Sequence, residues 1–175
     1  MIYMNLREHQ NQSHKLVKQV MRQDIQRRSY KTLMQSFKTD NMLFLVLHLN
    51  NYIAYRKSPN EIQKHLKKYF RDVDNKVFSS KSKKRLQRYV VIENLKNRRR
   101  NHVQIAIECP NHLNKFKLRD ILHDSLNNQI CNLEHINEVY DYETLIDYNT
   151  KDIQSVKPQQ TDITFDEVNS YKRVH

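Results

Sequence analysis

Apolar residues along this chain follow two different spacings, and each spacing predicts a different kind of element. The continuous apolar run at residues 42–50 is typical of a strand that is buried on both faces of a sheet. Alternation of apolar and polar residues predicts two further strands, at 86–93 and 102–108. Residues 96–101 between them are strongly basic, so the two strands are expected to form a hairpin with a charged tip.

Spacings of three and four residues predict the helices. Amphipathic helices are expected at 59–74, 114–127 and 143–154, with a short strand at 136–142 between the last two. The resulting order is strand, helix, strand, strand, helix, strand, helix. This order predicts an α+β fold, a central antiparallel sheet with helices packed on one face in a split β-α-β arrangement.

The chain is expected to form one domain with an extension at each end. Its 175 residues are enough for a single hydrophobic core. Residues 1–40 are polar and basic with apolar residues at helical spacing, which predicts a helical N-terminal extension. The domain itself is assigned to 41–155, and the polar residues 156–175 are expected to form a loose C-terminal tail.

The amino-acid composition excludes several classes of function. The chain carries 31 Lys and Arg against 19 Asp and Glu, a formal charge of +12, and clustering of this charge favours a polyanionic partner over a merely solvated surface. The complete absence of glycine excludes a phosphate-binding P-loop and a dinucleotide fingerprint. Cys109 and Cys131 have no metal-site spacing and suit a reducing cytoplasm. No apolar run is long enough to cross a membrane.

Three polar side chains suggest a metal site on the predicted hairpin. His102 and Gln104 are two residues apart on one strand and therefore project from the same face. Glu93 ends the preceding strand, and antiparallel pairing can bring its carboxylate to them. Imidazole, amide and carboxylate together suit Mn²⁺ or Mg²⁺. The alternatives are a solvated polar face and an ion pair between Glu93 and the arginines at 98–100; Glu108 is a weaker ligand candidate.

The helix predicted at 143–154 carries a possible nucleophile. Tyr148 and Lys151 are three residues apart and share a helical face, so the ammonium can help to stabilise a phenolate. Tyr140 and Tyr142 are rival nucleophiles on the sequence alone. The alternative is that Tyr148 is a half-buried side chain of an amphipathic helix.

Taken in order, these segments resemble the motifs of the HUH-endonuclease superfamily. Residues 44–50 resemble its first motif, and His102-Val103-Gln104 is similar to the second in its His-hydrophobic-Gln form. The segment from Tyr148 to Lys151 is similar to the Tyr-x-x-Lys third motif, and Glu93 stands where related proteins often have a third metal ligand. The resemblance covers about residues 42–153 and is greatest to replication initiators (Rep nickases) of small single-stranded DNA viruses, phages and plasmids.

This resemblance implies a metal-dependent endonuclease that nicks and joins DNA and thereby starts rolling-circle replication. A divalent ion would polarise the phosphate, Tyr148 would form a 5′-phosphotyrosine link, and Lys151 would orient the phosphate. The implied partners are single-stranded or origin DNA and a separate helicase and polymerase in the cytoplasm. No membrane is expected as a partner, and the oligomeric state is left open. A transposase or relaxase of the same superfamily, or a non-enzymatic DNA-binding repressor or packaging factor, are the alternatives.

The basic tip of the hairpin is the expected DNA-binding surface. Lys96, Arg98, Arg99 and Arg100 lie beside the proposed metal ligands in sequence, and a two-stranded ribbon can enter a groove or follow a single strand. The alternative is a solvated turn that keeps the protein soluble, in which case the N-terminal helix would be the binding surface.

Overall fold

The computed structural model describes residues 6–50, 59–93, 102–126, 131–150, 153 and 163–173. These described residues form four helices and five strands in the order α1 (Leu6–Gln35), β1 (Met42–Leu49), α2 (Pro59–Phe78), β2 (Arg88–Glu93), β3 (His102–Glu108), α3 (Lys115–Asp124), β4 (Cys131–Glu138), α4 (Tyr142–Thr150) and β5 (Ile163–Phe165).

The strands form one antiparallel sheet in the order β4-β1-β3-β2-β5. The two central strands, β1 and β3, pair from Met42 opposite Glu108 to His48 opposite His102. Helix α2 connects β1 to β2, and α3 connects β3 to β4, which gives two interleaved β-α-β units. The predicted α+β class and its split β-α-β arrangement are confirmed.

One face of the sheet is covered by the two connecting helices. Alternate strand residues, including Leu45, Val90 and Ile105, pack with α2 and α3 in the larger core. The hydroxyl of Tyr69 on α2 donates a hydrogen bond of 3.1 Å to the carbonyl of Leu122 on α3. Burial of each large aliphatic side chain stabilises the fold by about 1.5–3 kcal/mol, so this layer holds the sheet in place.

The other face of the sheet carries a second, smaller core under α1 and α4. Met34 and Phe37 reach this core from the C-terminal end of α1 and the turn after it, while Ile146 reaches it from α4. They pack against Tyr89 of β2, and the Tyr142 hydroxyl donates to the Met34 carbonyl at 2.7 Å. The predicted packing of helices on one face holds for α2 and α3, whereas α1 and α4 lie on the other face, which carries His102 and Gln104.

The end of α2 shows how a chain without glycine makes its turns. Ser79 follows the last helical residue with φ 76°, in the left-handed region where glycine usually ends a helix. Residues with a Cβ atom are sterically disfavoured in this region. Ser79 is a small polar residue, of the kind that commonly occupies turns.

The predicted boundaries differ most from the observed ones at β4 and in the C-terminal segment. Strand β4 begins at Cys131, before the predicted start at 136. The prediction missed this start because a register shift in the pairing with β1 breaks the alternation of apolar and polar residues. The C-terminal segment is not a loose tail over residues 163–173. Strand β5 extends the sheet beside β2, Asp166 is fully buried, and Tyr171 pairs with Arg88 through both backbone hydrogen bonds.

Helix α1 has two different environments along its length. Its C-terminal part belongs to the second core, whereas Leu16, Val20 and Ile25 are exposed. In the described part of the chain, no helix has the length and apolar character needed to cross a bilayer.

Candidate metal centre and the tyrosine helix

Two histidines and a glutamate converge on the face of the sheet that α4 covers. The ligand atoms of His48, His102 and Glu134 all lie within 4.8 Å of one another. The Glu134 Oε2 atom lies 2.5 Å from His48 Nε2 and 4.0 Å from His102 Nδ1. Donor atoms on one ion lie at most about 4.6 Å apart, twice a metal–ligand distance of about 2.3 Å, so this spacing is close to that of a formed site.

The sheet register brings the three side chains together. His48 is the direct partner of His102 across the β1–β3 ladder and of Asn132 across the β1–β4 ladder. Glu134 stands two residues after Asn132 and therefore projects from the same face. A register shift between Val46 and Leu47 makes Glu134 the extra residue of a β-bulge, a feature that often re-aims a side chain near a functional site.

The predicted ligands Glu93 and Gln104 border this cluster. Glu93 is the direct partner of His102 across the β2–β3 ladder, so β1, β3 and β2 present His48, His102 and Glu93 in one row. Within the described residues, Glu93 is not part of the set whose ligand atoms all lie within 4.8 Å. Gln104 lies two residues further along β3 and is only 2% exposed. Its role, like that of Glu93, stays a prediction.

Gln104 has a buried side-chain oxygen whose environment bears on the metal site. Among the described residues, the side-chain Oε1 atom of Gln104 is buried and accepts no hydrogen bond. A buried, unsatisfied amide oxygen costs about 1–3 kcal/mol and is uncommon in a folded protein. A cation beside Gln104 would satisfy this oxygen, which is consistent with its predicted use as a ligand.

The donor set itself indicates which metals fit. Two imidazoles and a carboxylate suit Mn²⁺, Fe²⁺ or Zn²⁺ better than Mg²⁺ or Ca²⁺, which prefer oxygen ligands. The side chains of His48 and His102 are 23% and 28% exposed, and that of Glu134 is 43% exposed, so solvent and a ligand can reach the cluster. Positions on an ion bound there would remain open for an outside ligand.

Tyr148 lies on α4, on the same side of the sheet as the histidines. Its neighbour Asn149 is fully buried and donates a hydrogen bond of 2.8 Å from Nδ2 to the hydroxyl of Tyr89. Tyr89 projects from the face that also carries Glu93, because the two residues are four apart on β2. The helix is therefore anchored over this face, and the Tyr148 side chain on it is 48% exposed.

Helix α1 holds α4 from the other side. Lys31 donates a hydrogen bond to the carboxylate of Asp147, and Arg27 lies 3.9 Å from the same oxygen. The hydrogen bond from Lys31 is the main reason that the pKa of Asp147 is lowered. The residue before Tyr148 and the residue after it are thus both tied to neighbouring elements, so the backbone of Tyr148 is positioned by α1 and β2 together.

The structure separates the rival tyrosines. Tyr142 is buried, its hydroxyl donates to a backbone carbonyl, and burial raises its pKa, so Tyr142 is a poor nucleophile. Tyr140 precedes α4 and is 89% exposed. Accessibility alone therefore leaves Tyr148 and Tyr140, and only Tyr148 lies on the anchored helix.

Some predicted residues are outside the described part of the chain. This is the case for Lys151, the proposed partner of Tyr148, and for the proposed DNA-binding residues Lys96, Arg98, Arg99 and Arg100. Their roles remain predictions.

Sequence reasoning missed two members of the cluster. His48 lies inside the segment that resembles the first motif, and it is the polar residue at the end of an apolar run, which was the available signal. Glu134 gave no such signal, because β4 was predicted to start after it. Comparisons of the chain with protein-family models, with curated proteins and with solved structures found no match in any of the three.

Proposed function

We propose that this protein is a metal-dependent endonuclease that nicks and joins single-stranded DNA through a 5′-phosphotyrosine intermediate. One observation carries the proposal: His48, His102 and Glu134 converge within 4.8 Å on the sheet face over which the Tyr148 helix is anchored. A metal-binding cluster and an accessible phenol on one side of a basic protein are the parts that this reaction needs.

In the proposed reaction, the Tyr148 phenol loses its proton and its oxygen forms a bond to phosphorus. The bond between phosphorus and the 3′ oxygen breaks at the same time, and the 3′ oxygen takes up a proton. A divalent ion bound by the histidines would polarise the phosphate and make it a better electrophile. The reverse reaction, with a 3′-hydroxyl as nucleophile, rejoins the strand, so the exchange needs no other co-reactant.

The side chains of the centre have distinct proposed roles. His48, His102 and Glu134 hold the ion, with Gln104 and Glu93 as the additional ligands that the resemblance implies. Two imidazoles favour Mn²⁺ over Mg²⁺ as the working metal. Lys151 is proposed to orient the phosphate. The substrate is single-stranded or origin DNA, and a separate helicase and polymerase would extend the new 3′ end during rolling-circle replication.

The proposed setting is the cytoplasm, where a replication initiator of this kind meets its DNA. Cys109 and Cys131 are both free and buried, which is compatible with a reducing compartment.

The test is a covalent adduct between protein and DNA. Purified protein is incubated with a pool of single-stranded oligonucleotides, with and without Mn²⁺, and resolved on a denaturing gel. The proposal expects a slower band that requires Mn²⁺ and Tyr148 and that disappears in the His102→Ala variant. No adduct on any sequence of the pool, with folded protein, would contradict the proposal.

A non-enzymatic DNA-binding protein is the second candidate, and one contact favours it. The 2.5 Å hydrogen bond between His48 Nε2 and Glu134 Oε2 gives each side chain a partner without any metal, as in a structural polar cluster. In that case, Mn²⁺ would change neither the stability of the protein nor its DNA binding. A transposase or relaxase of the same superfamily would instead give the adduct but use a different DNA sequence.

A further inference from the structure

A strongly basic cleft lies on the face of the sheet opposite the histidines. It runs between α2, the segment 82–88 and residues 168–169, and it encloses about 560 Å³. Among the residues that the structure describes, eight lysines and arginines line this cleft, and Asp74 is its one carboxylate. We call it the basic cleft.

The single carboxylate does not neutralise the cleft. Asp74 already accepts hydrogen bonds from the buried Arg88 at 3.0 Å and from the backbone of Leu86 at 2.9 Å. Over the described residues, Lys64, Lys67, Lys68, Lys83 and Lys84 have no carboxylate within 4.0 Å. Clustered ammonium groups repel one another, and a polyanion that displaces their counterions relieves this repulsion.

The lysines of α2 form a continuous stripe. Lys64, Lys67, Lys68 and Arg71 follow at spacings of three, one and three residues, so they share one helical face. All four are exposed, whereas Leu66 on another face of the helix is buried in the core. The stripe is about 10 Å long at 1.5 Å per residue, enough to meet more than one phosphate of a nucleic-acid strand.

Aromatic side chains continue the surface beyond the basic cleft. A neighbouring cavity of about 800 Å³ shares Lys84 and Arg85 with it and is lined in addition by Phe78, His112 and Tyr171. The rings of Phe78 and His112 lie 5.5 Å apart, and the Arg85 guanidinium lies 5.9 Å from the centre of the Tyr171 ring. Aromatic faces beside cations accept unstacked bases, which only a single strand can offer.

We propose that the basic cleft and the adjoining aromatic cavity form a path for a single strand of nucleic acid. Phosphates lie along the lysine stripe of α2, and bases stack on Tyr171 and on the pair Phe78 and His112. The path begins near Arg88, at the opposite end of β2 from Glu93, which pairs with His102. The two ends of β2 are about 17 Å apart at 3.4 Å per residue, so the path holds a part of the strand that is away from the metal centre.

This path rests on the proposed nicking function and adds a DNA-binding surface to it. A binding measurement tests the path without requiring any cleavage. Affinity for a 20-nucleotide oligothymidine is measured by fluorescence anisotropy without divalent metal, over a series of salt concentrations. The triple variant Lys64→Ala, Lys67→Ala and Lys68→Ala should bind roughly tenfold more weakly at low salt, and its salt slope should fall by up to about two units, since each phosphate contact on a single strand contributes about 0.7.

The matched control removes the same charge elsewhere. The triple variant Lys18→Ala, Lys38→Ala and Lys117→Ala alters three exposed lysines outside the cleft and should keep the affinity and slope of the natural protein. Equal losses in both triple variants would overturn the path in favour of net charge. An unchanged slope in the cleft variant, with a normal circular dichroism spectrum, would also overturn it.

A second pair of variants tests base stacking. Tyr171→Phe keeps the ring and should bind normally, whereas Tyr171→Leu should bind roughly fivefold to a hundredfold more weakly. Polyglutamate should compete poorly with the oligonucleotide, and equal competition at equal charge would show a general polyanion surface and overturn the proposal. Binding that depends on the cleft, without any covalent adduct, would support the path and contradict the nickase proposal. An adduct that forms equally well in the cleft variants would support the nickase proposal and contradict the path.

Discussion

The imidazole rings of His48 and His102 lie with their centres 4.1 Å apart, because the two residues are direct partners on adjacent strands. Side chains of direct partners in an antiparallel ladder project from the same face at close range. Glu134 on the third strand brings a carboxylate oxygen to 2.5 Å from His48 Nε2 and 4.0 Å from His102 Nδ1. The candidate centre is therefore a property of the pairing of β1, β3 and β4.

Metal binding should stabilise the folded protein. Mn²⁺ at a hundredfold excess over its dissociation constant should raise the free energy of unfolding by about 2.7 kcal/mol. A double variant with His48→Ala and His102→Ala should lose this increment, and His112→Ala with His123→Ala, which changes two histidines outside the cluster, should keep it. Thermal unfolding with and without Mn²⁺ measures the effect. An increment that survives in the first double variant would place the metal elsewhere.

The covalent link should depend on Tyr148 and on neither neighbouring tyrosine. Tyr148→Phe should abolish the adduct and leave the fold and DNA binding nearly unchanged, because the side chain is half-exposed. Tyr140→Phe should leave the adduct intact. Tyr142→Phe should do the same with some loss of stability, since it removes a buried hydrogen bond worth about 1 kcal/mol. Denaturing gels and mass spectrometry of the adduct peptide identify the residue; a peptide that carries DNA on Tyr140 would refute this assignment.

Replacing Gln104 should lower the affinity for metal more than the stability of the fold. In Gln104→Met, an apolar side chain of similar size replaces a buried oxygen that accepts no hydrogen bond among the described residues. The free energy of unfolding without metal should therefore change by less than about 1 kcal/mol, or rise. Affinity for Mn²⁺ should fall by roughly tenfold to a hundredfold, as for other supporting groups of metal sites. Calorimetric titration with Mn²⁺ measures this, and an unchanged affinity would remove Gln104 from the centre.

The C-terminal segment should make stability depend on pH. Burial is the main reason that the pKa of Asp166 is raised above its ordinary value of 3.8. A carboxyl with a raised pKa binds its proton more tightly in the folded state. Its contribution to stability is therefore fully present below pH 3.8 and is lost as the pH rises through the folded-state pKa.

Asp166→Asn isolates this contribution. The variant cannot titrate, and its remaining oxygen can still accept the hydrogen bonds from Gln63 and from the backbone of Val168. The free energy of unfolding of the natural protein, minus that of the variant, should fall as the pH rises from 3.8 and then level off. Urea titrations at a series of pH values measure the difference. A difference that is constant with pH would mean that Asp166 titrates alike in the folded and unfolded chain.

The spacing of apolar residues correctly predicted the position and orientation of several strands and helices. Strand β3 has the predicted bounds of 102–108, and Val103, Ile105 and Ile107 occupy the buried face that alternation assigned to them. The same alternation correctly put His102 and Gln104 together on the opposite face. Helix α2 begins at Pro59 as expected. These features are local, because periods of two and of 3.6 residues depend only on near neighbours in the chain.

Only the tertiary structure decided which side chains meet His102. Alternation gives the face of a residue, but the order of strands gives its neighbours. The order β4-β1-β3 brings His48 and then Glu134 to His102, although His48 precedes it by 54 positions and Glu134 follows it by 32. The pairing of β5 with β2 was equally hard to predict, since Phe165 lies in a segment of mostly polar residues. Such contacts depend on packing and register between distant segments, and no local period in the sequence records them.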